Sequence, residues 1–173
     1  PSDPNRAYLA YQDGVFISTD RGNHWTRTAL PAIEMPPNDD ESKLSGERLA
    51  VDPNNADRVF IGTVNDGLWH TTDAGQTWQH ISAVPHGQID RGVRQILFDV
   101  SAGTTNGATD YLYATVDSVG LYQSPDAGQT WQFITSSILN NTTEPHFLDG
   151  AIDAQGRVYL TGKDNSNGSS FGI

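Results

Sequence analysis

The chain has 173 residues, with 21 acidic against 10 basic side chains and a net charge of −11. That balance argues against nucleic acid and anionic membrane as partners, because neither finds a surface here to neutralise it. There is no cysteine, hence no disulfide framework, thiolate metal site or thiol nucleophile, and no apolar run approaches the ~20 residues that span a bilayer. Of the acids, 17 are Asp and four are Glu. With 17 Gly and nine Pro this is a turn-rich composition, since Asp favours turns and caps while Glu favours helices. Residue 1 is Pro, so the N-terminus reads as a cut or processed end, and the lack of a visible signal peptide carries no weight.

Asp3-Pro4-Asn5 opens a turn, Ala7–Tyr11 reads as a short strand and Asp13-Gly14 as a hairpin signal. Val15–Ser18 leads into Ser18-Thr19-Asp20-Arg21-Gly22-Asn23-His24-Trp25, and Trp25–Thr28 leaves it as a third strand. Residues 29–46 read as a long polar loop, with Pro36-Pro37 and Asp39-Asp40-Glu41 opposing regular structure. Arg48–Pro53 and Arg58–Val64 are the next strands, and Leu68–Thr71 and Trp78–Ile81 flank a second copy of the turn, Thr71-Thr72-Asp73-Ala74-Gly75-Gln76-Thr77-Trp78. Arg94–Val100 follows, then a Gly/Thr/Asn-rich loop and Tyr111–Val116. Leu121–Gln123 and Trp131–Ile134 flank the third copy, Ser124-Pro125-Asp126-Ala127-Gly128-Gln129-Thr130-Trp131. Leu148–Asp153 and Arg157–Thr161, joined by a turn at 154–156, begin a fourth unit, and residues 164–170 read as a loose end.

Asp20, Asp73 and Asp126 are separated by 53 residues each time, as are the Gly and Trp of each copy. Gly14-Val15-Phe16, Gly67-Leu68-Trp69 and Gly120-Leu121-Tyr122 precede the three copies at one offset. A fixed period of this size marks an array of similar units. Short acceptors at Ser/Thr and Asp can bond backbone amides two residues on, and the Gly can take positive φ. The prediction is all-β: β-propeller blades of four antiparallel strands each, about three of a larger ring of typically 4–8 blades. The blade pieces are 1–28, 47–82, 94–135 and 147–173. Three strands, two whole blades and two further strands cannot close such a ring, so further blades of a longer chain are expected as partners.

The three copies resemble the Asp-box, or BNR repeat, of sialidases and other propellers. The runs Gly46-Glu47-Arg48-Leu49-Ala50-Val51-Asp52-Pro53-Asn54-Asn55 and Gly67–Trp78, with Pro145-His146 and Gly156–Thr161, resemble the xyloglucanases of glycoside hydrolase family 74. That resemblance implies two seven-bladed propellers with a cleft between them. It also implies a secreted enzyme that cleaves the β-1,4-glucan backbone of xyloglucan with inversion, using two Asp residues and no cofactor. One of those Asp residues lies in an Asp-x-Gly-Gly setting that does not occur here, and the other belongs to the second propeller. No catalytic residue is therefore carried over. Asp13-Gly14 and Asp66-Gly67, the nearest strings, read as hairpin turns. The segment corresponds to scaffold and cleft loops, such as 29–47 and 82–94. The alternative is a non-catalytic Asp-box propeller that binds a protein or glycan, as in photosystem assembly factors or sortilin-like receptors.

An active site is needed once and a hairpin lock in every blade, so the recurrence makes Ser18, Asp20, Gly22 and Trp25 structural. The same holds for Thr71, Asp73, Gly75 and Trp78, and for Ser124, Asp126, Gly128 and Trp131. Substrate-binding candidates are Glu47 and Arg48, which could face a cleft, and Trp69 and Tyr122, whose rings could stack on sugars. A strand-end ion pair for Arg48 and blade packing for the two aromatics are the simpler readings. His24, His70, His80, His86 and His146 lack the spacing of a metal site and read as solvated or hairpin-facing. Asn140–Thr143 and Asn167-Gly168-Ser169 match the N-glycosylation pattern.

Overall fold

The computed structural model describes residues 2–33, 48–86, 92–134, 144–164 and 166–172. The described residues form four antiparallel sheets and no helix. The first comprises β1 (Ala7–Tyr11), β2 (Gly14–Ser18) and β3 (Thr26–Arg27). The second has β4 (Leu49–Asp52), β5 (Asn55–Gly62), β6 (Leu68–Thr71) and β7 (Gln79–Ile81). The third has β8 (Val93–Thr105), β9 (Ala108–Val116), β10 (Gly120–Ser124) and β11 (Gln132–Ile134). The fourth has β12 (Pro145–Ile152), β13 (Val158–Asp164) and β14 (Ser170–Gly172). In each sheet neighbours in sequence are neighbours in space, so hairpins alone build it. The chain is all-β with the blade architecture of a propeller.

The core lies between sheets, in three layers. Val15, Leu30 and Ile33 meet Ile61, Leu49, Trp69 and Trp78 between the first two. Phe60, Leu68, Ile81 and Val84 meet Val93, Ile96, Leu112, Tyr122 and Trp131 between the second and third. Leu121, Leu97 and Ile134 meet Phe147, Leu160 and Phe171 between the third and fourth. Alternate residues of one strand thus serve opposite layers: Phe60 one and Ile61 the other, Leu68 one and Trp69 the other. This is why Val59–Ile61 is buried without a break and reads as a continuous apolar run rather than an alternation.

Several boundaries differ from the sequence reading. The Gly/Thr/Asn-rich stretch is no loop: β8 and β9 continue through it to a two-residue turn at Asn106 (φ 51) and Gly107 (φ 77). An Asn-Gly pair with both φ positive is the turn that matches strand twist. The first hairpin turns on Gln12 (φ 53) and Asp13, one residue before the Asp13-Gly14 signal, because Tyr11 pairs with Gly14. Residues 164 and 166–170 are not a loose end. Asp164 Oδ1 accepts from the Ser166 amide at 2.9 Å, Asp164 N donates to Ser169 O at 2.7 Å, and the chain returns as β14. The fourth sheet therefore has three strands where two were expected. The start of the 29–46 loop is not solvated either: Leu30 and Ile33 are each 3% exposed. Pro36-Pro37, Asp39-Asp40-Glu41 and most of 82–94's central stretch, 87–91, lie outside the described residues.

Polar links join sheet to sheet at the rims. Asp52, fully enclosed, accepts from Arg58 Nη1 (3.0 Å), Thr109 N (2.9 Å) and Thr109 Oγ1 (2.6 Å). It thereby ties the second sheet to the third. Val93 N donates to Thr63 O (3.0 Å) and Ser118 N to Pro145 O (2.7 Å). Removing one partner of a buried pair strands the other charge. Asp52→Ala is expected to cost about 3–5 kcal/mol, measured by chemical denaturation, because Arg58 and the Thr109 donors lose their acceptor together; a loss under about 1 kcal/mol, the range of exposed ion pairs, would contradict the burial.

The glycines of the three repeated turns share their backbone geometry but not their surroundings. Gly22, Gly75 and Gly128 have φ of 88, 86 and 80. A Cβ on Gly75 would meet Thr28 Cγ2 of the preceding sheet at 2.5 Å, and one on Gly128 would meet Phe60 Cζ at 2.7 Å, whereas at Gly22 the nearest atom is Trp25 Cζ2 at 3.6 Å. Gly22→Ala should therefore cost about 1–2 kcal/mol of left-handed strain. Gly75→Ala and Gly128→Ala should each cost about 1–3 kcal/mol more through overpacking. Equal losses of denaturation midpoint at all three positions would refute the inter-sheet contact.

Candidate functional site at the inner strand ends

The repeated turn is built from its hydroxyl and carboxylate. Ser18 Oγ donates to Asp20 Oδ1 (2.8 Å) and accepts from Gly22 N (2.8 Å). Thr71 and Ser124 make the same pair of bonds to Asp73 and Gly75, and to Asp126 and Gly128. Each Asp then reaches forward four residues: Asp73 to Thr77 N (2.8 Å) and Thr77 Oγ1 (2.6 Å), Asp126 to Thr130 N (2.8 Å) and Thr130 Oγ1 (2.6 Å). In the first copy His24 takes the threonine's place, through its amide (2.9 Å) and Nδ1 (2.5 Å). The residue between Asp and Gly is also left-handed, at φ 61 for Arg21, 59 for Ala74 and 60 for Ala127. Its amide donates within its own sheet, to Asn5 O, Asp57 O and Asp110 O respectively. The three carboxylates stand in three separate turns and share no cleft.

Of the substrate-binding candidates, Glu47 lies outside the described residues. Trp69 donates from Nε1 to Asp66 O (3.1 Å), lies tilted against His80 with centroids 5.1 Å apart and packs into the layer facing the first sheet. Tyr122 is 9% exposed, sits against Phe133 at 5.3 Å and belongs to the next layer. The structure does not bring these two rings together, and each packs against the sheet before its own. Asp13 and Asp66 lie at hairpin ends, Asp13 beside Arg27 (3.3 Å), and Asp66 N donates to Thr63 Oγ1 (2.9 Å).

Arg48 leads elsewhere. It precedes β4, its carbonyl accepts from Gly62 N (2.7 Å), and its guanidinium shares a charged cluster with Arg94 and Asp117. Burial, then the like charge of Arg94, lowers its pKa to about 10. Arg94 Nε donates to Asp117 Oδ2 (2.6 Å) with both side chains at 1% exposure or less, and Phe147 N donates to Asp117 Oδ1 (3.1 Å). His146 Nδ1 lies 2.8 Å from Asp117 Oδ2. Burial pushes the His146 pKa down despite that carboxylate, which favours the neutral ring at pH 7. His146 is thus neither solvated nor hairpin-facing, as the sequence had suggested.

This cluster gathers the starts of β4, β8 and β12 and the β9–β10 turn, and the sequence reading missed its members Arg94 and Asp117. One signal was available: Asp117 stands 53 residues after Val64, so a charge replaces an aliphatic residue of the repeat. Chemically the cluster offers guanidinium donors around one carboxylate, with a neutral imidazole beside it. Among the described residues, no group of three or more His, Cys, Asp or Glu is placed to hold a metal ion.

Hydrogen bonds to the turn carboxylates set an acid limit. The His24 amide bond, then its ring and Ser18, holds Asp20 at about 2. At Asp73 and Asp126 burial raises the pKa, but the bonds from Thr77 and Thr130 with their neighbours outweigh it and the net shift is downward. A folded pKa below the unfolded value of about 3.9 means stabilisation that is complete above pH ~4 and lost as pH falls toward 2. The urea midpoint should therefore drop across that window, and the drop should shrink in the Asp73→Asn, Asp126→Asn double variant; an unchanged slope would exclude these carboxylates as its origin.

No family model matches the chain. It is 32% identical over 93% of its length to a xyloglucanase of Paenibacillus sp, of which it covers 18%. It superposes on a crystal structure of the Niastella koreensis GH74 enzyme with a TM-score of 0.78 at 26% identity, covering 99% of this chain and 28% of that one. On the GH74 xyloglucanase of Xanthomonas campestris the TM-score is 0.80 at 24% identity, covering 100% of this chain and 28% of that one, a likeness of fold. The chain spans about a fifth of the length of the relatives it matches. Sequence over nearly the whole chain and fold over all of it agree, and the chain belongs to glycoside hydrolase family 74 as a segment of such a protein.

Proposed function

We propose that the chain is part of a secreted glycoside hydrolase that cleaves β-1,4-glucan, xyloglucan or a related polymer, with inversion. In this reading the segment supplies scaffold and cleft loops, and the catalytic carboxylates come from elsewhere in the protein. The observation that carries it is the 32% identity over 93% of the chain to xyloglucanases. The geometry of the acids supports the division of labour. Asp20, Asp73 and Asp126 are occupied by turn amides and hydroxyls, and Asp52 and Asp117 by buried guanidinium groups. A general acid and a general base for inversion must instead face one another across roughly 6.5–9.5 Å with room for water. The burial of Arg48 beside Arg94 and Asp117, like the packing of Trp69 and Tyr122 between sheets, favours a structural role for these three candidates.

The full-length protein should release oligosaccharides from xyloglucan, with NMR showing an anomer opposite in configuration to the bond cleaved. Residues 1–173 alone should show no turnover. Failure of the full-length protein on xyloglucan and other β-glucans would overturn the proposal in favour of a non-catalytic binding propeller. Turnover by the isolated segment would overturn the assignment of its acids to structure.

A further inference from the structure

Enclosed polar atoms without a hydrogen-bond partner are concentrated in one place. Among the described residues they are Arg6 Nε, His70 Nδ1, Arg94 Nη1, Gln95 Oε1, Thr115 Oγ1 and His146 Nδ1. The last four belong to the junction of β8, β9 and β12, where His146 Nδ1 has the Asp117 carboxylate 2.8 Å away and the other three have no such neighbour. Buried polar groups are normally satisfied, so a cluster of exceptions calls for a cause. Gln95 and Thr115 are register partners across β8 and β9, an acceptor and a hydroxyl on one rung, where side chains stand close enough to interact. Arg94 has no such complement. Its Nε is used by Asp117, whose other oxygen takes the Phe147 amide. The Arg48 guanidinium nearby adds a second cation and offers only donors.

We propose that the Arg94 guanidinium forms an anion-binding site at the inner ends of β8 and β12, one that takes a carboxylate or a small oxyanion of similar geometry. Nη1 is a charged donor at a side chain 1% exposed, and a planar guanidinium matches a carboxylate through two parallel N–H bonds. Arg94 is itself enclosed, and an anion on Nη1 would meet the donor that Asp117 leaves unused. The net charge of −11 makes anion binding here a property of this site and not of a generally basic surface. The carboxylate could come from a small molecule, such as a uronic acid, or from an acidic side chain elsewhere in the full-length protein. The inference does not depend on glucan hydrolysis.

The test is a thermal-unfolding titration of the full-length protein with sulfate and with glucuronate at constant ionic strength, with glucose as the uncharged control. A saturable rise in Tm with the anions but not with glucose is expected. Its half-point should move at least about tenfold higher in Arg94→Lys, which keeps the charge beside Asp117 but loses the second donor. Crystals of the wild-type protein soaked in selenate should show anomalous density within hydrogen-bond reach of Nη1, and this decides the matter should Arg94→Lys fail to fold. If the titration is flat and the crystal shows an acidic side chain of the same protein on Nη1, the site stands and its ligand is internal. A flat titration with only water, or nothing, at Nη1 overturns the proposal. Activity on polysaccharide enters neither readout, so loss of the hydrolase reading would leave this result untouched.

Discussion

The contact between the second and third repeated turns and the sheet before each leaves no room for a side chain, and the stacking of these sheets follows from that. Gly75 O accepts from Ala29 N at 2.8 Å, and Arg58 Nη2 donates to Ala127 O. In both cases a donor of one sheet reaches a carbonyl of the next sheet's turn. The backbone must present that carbonyl at close range, which requires two successive left-handed residues, the second of them a glycine. The hydroxyl and carboxylate of the turn hold this conformation by bonding the amides it frees. One short motif therefore closes a hairpin within its own sheet and docks that hairpin onto its neighbour.

Stacking by this device buries the middle sheets on both faces. Their apolar residues divide between two layers, and polar groups are pushed to the rims, where they meet partners from the adjacent sheet. Asp52 with Arg58 and Thr109 is such a link at one rim. Asp117 with Arg94 and His146 occupies the inner strand ends. The two differ in completeness. Both hydrogen-bonding ends of the Arg58 guanidinium find acceptors, in Asp52 and Ala127, whereas Arg94 leaves one nitrogen enclosed without one. A low-dielectric interior makes an unmet donor costly, so that asymmetry separates a structural link from a candidate for recognition.

Membership of glycoside hydrolase family 74 fits this picture. A propeller uses each blade as a structural unit and draws its chemistry from a few loops at one end. A chain of about one fifth of its relatives' length carries successive blades of such an architecture. The recurring acids of this segment stabilise turns.

The period of 53 residues, the Asp-Gly turns and the apolar runs were legible by themselves, because hairpin turns depend on local φ preferences and on acceptors a few residues away. Sheet order followed from hairpins in the same way. The strand ends were less legible: β8 and β9 run on through a polar stretch whose Thr109 is held by Asp52 of the neighbouring sheet, and β14 exists because Asp164 bends the chain back. The Arg48, Arg94, Asp117 and His146 cluster was hidden for a different reason. Its members come from three sheets and are brought together only when those sheets stack, so no spacing along the chain records their proximity. The residues by themselves determined the unit, its turns and the number of its copies. Which face each aromatic covers, and which charges lose their water together, only the packing of one sheet on the next decided, since burial is a property of neighbours in space.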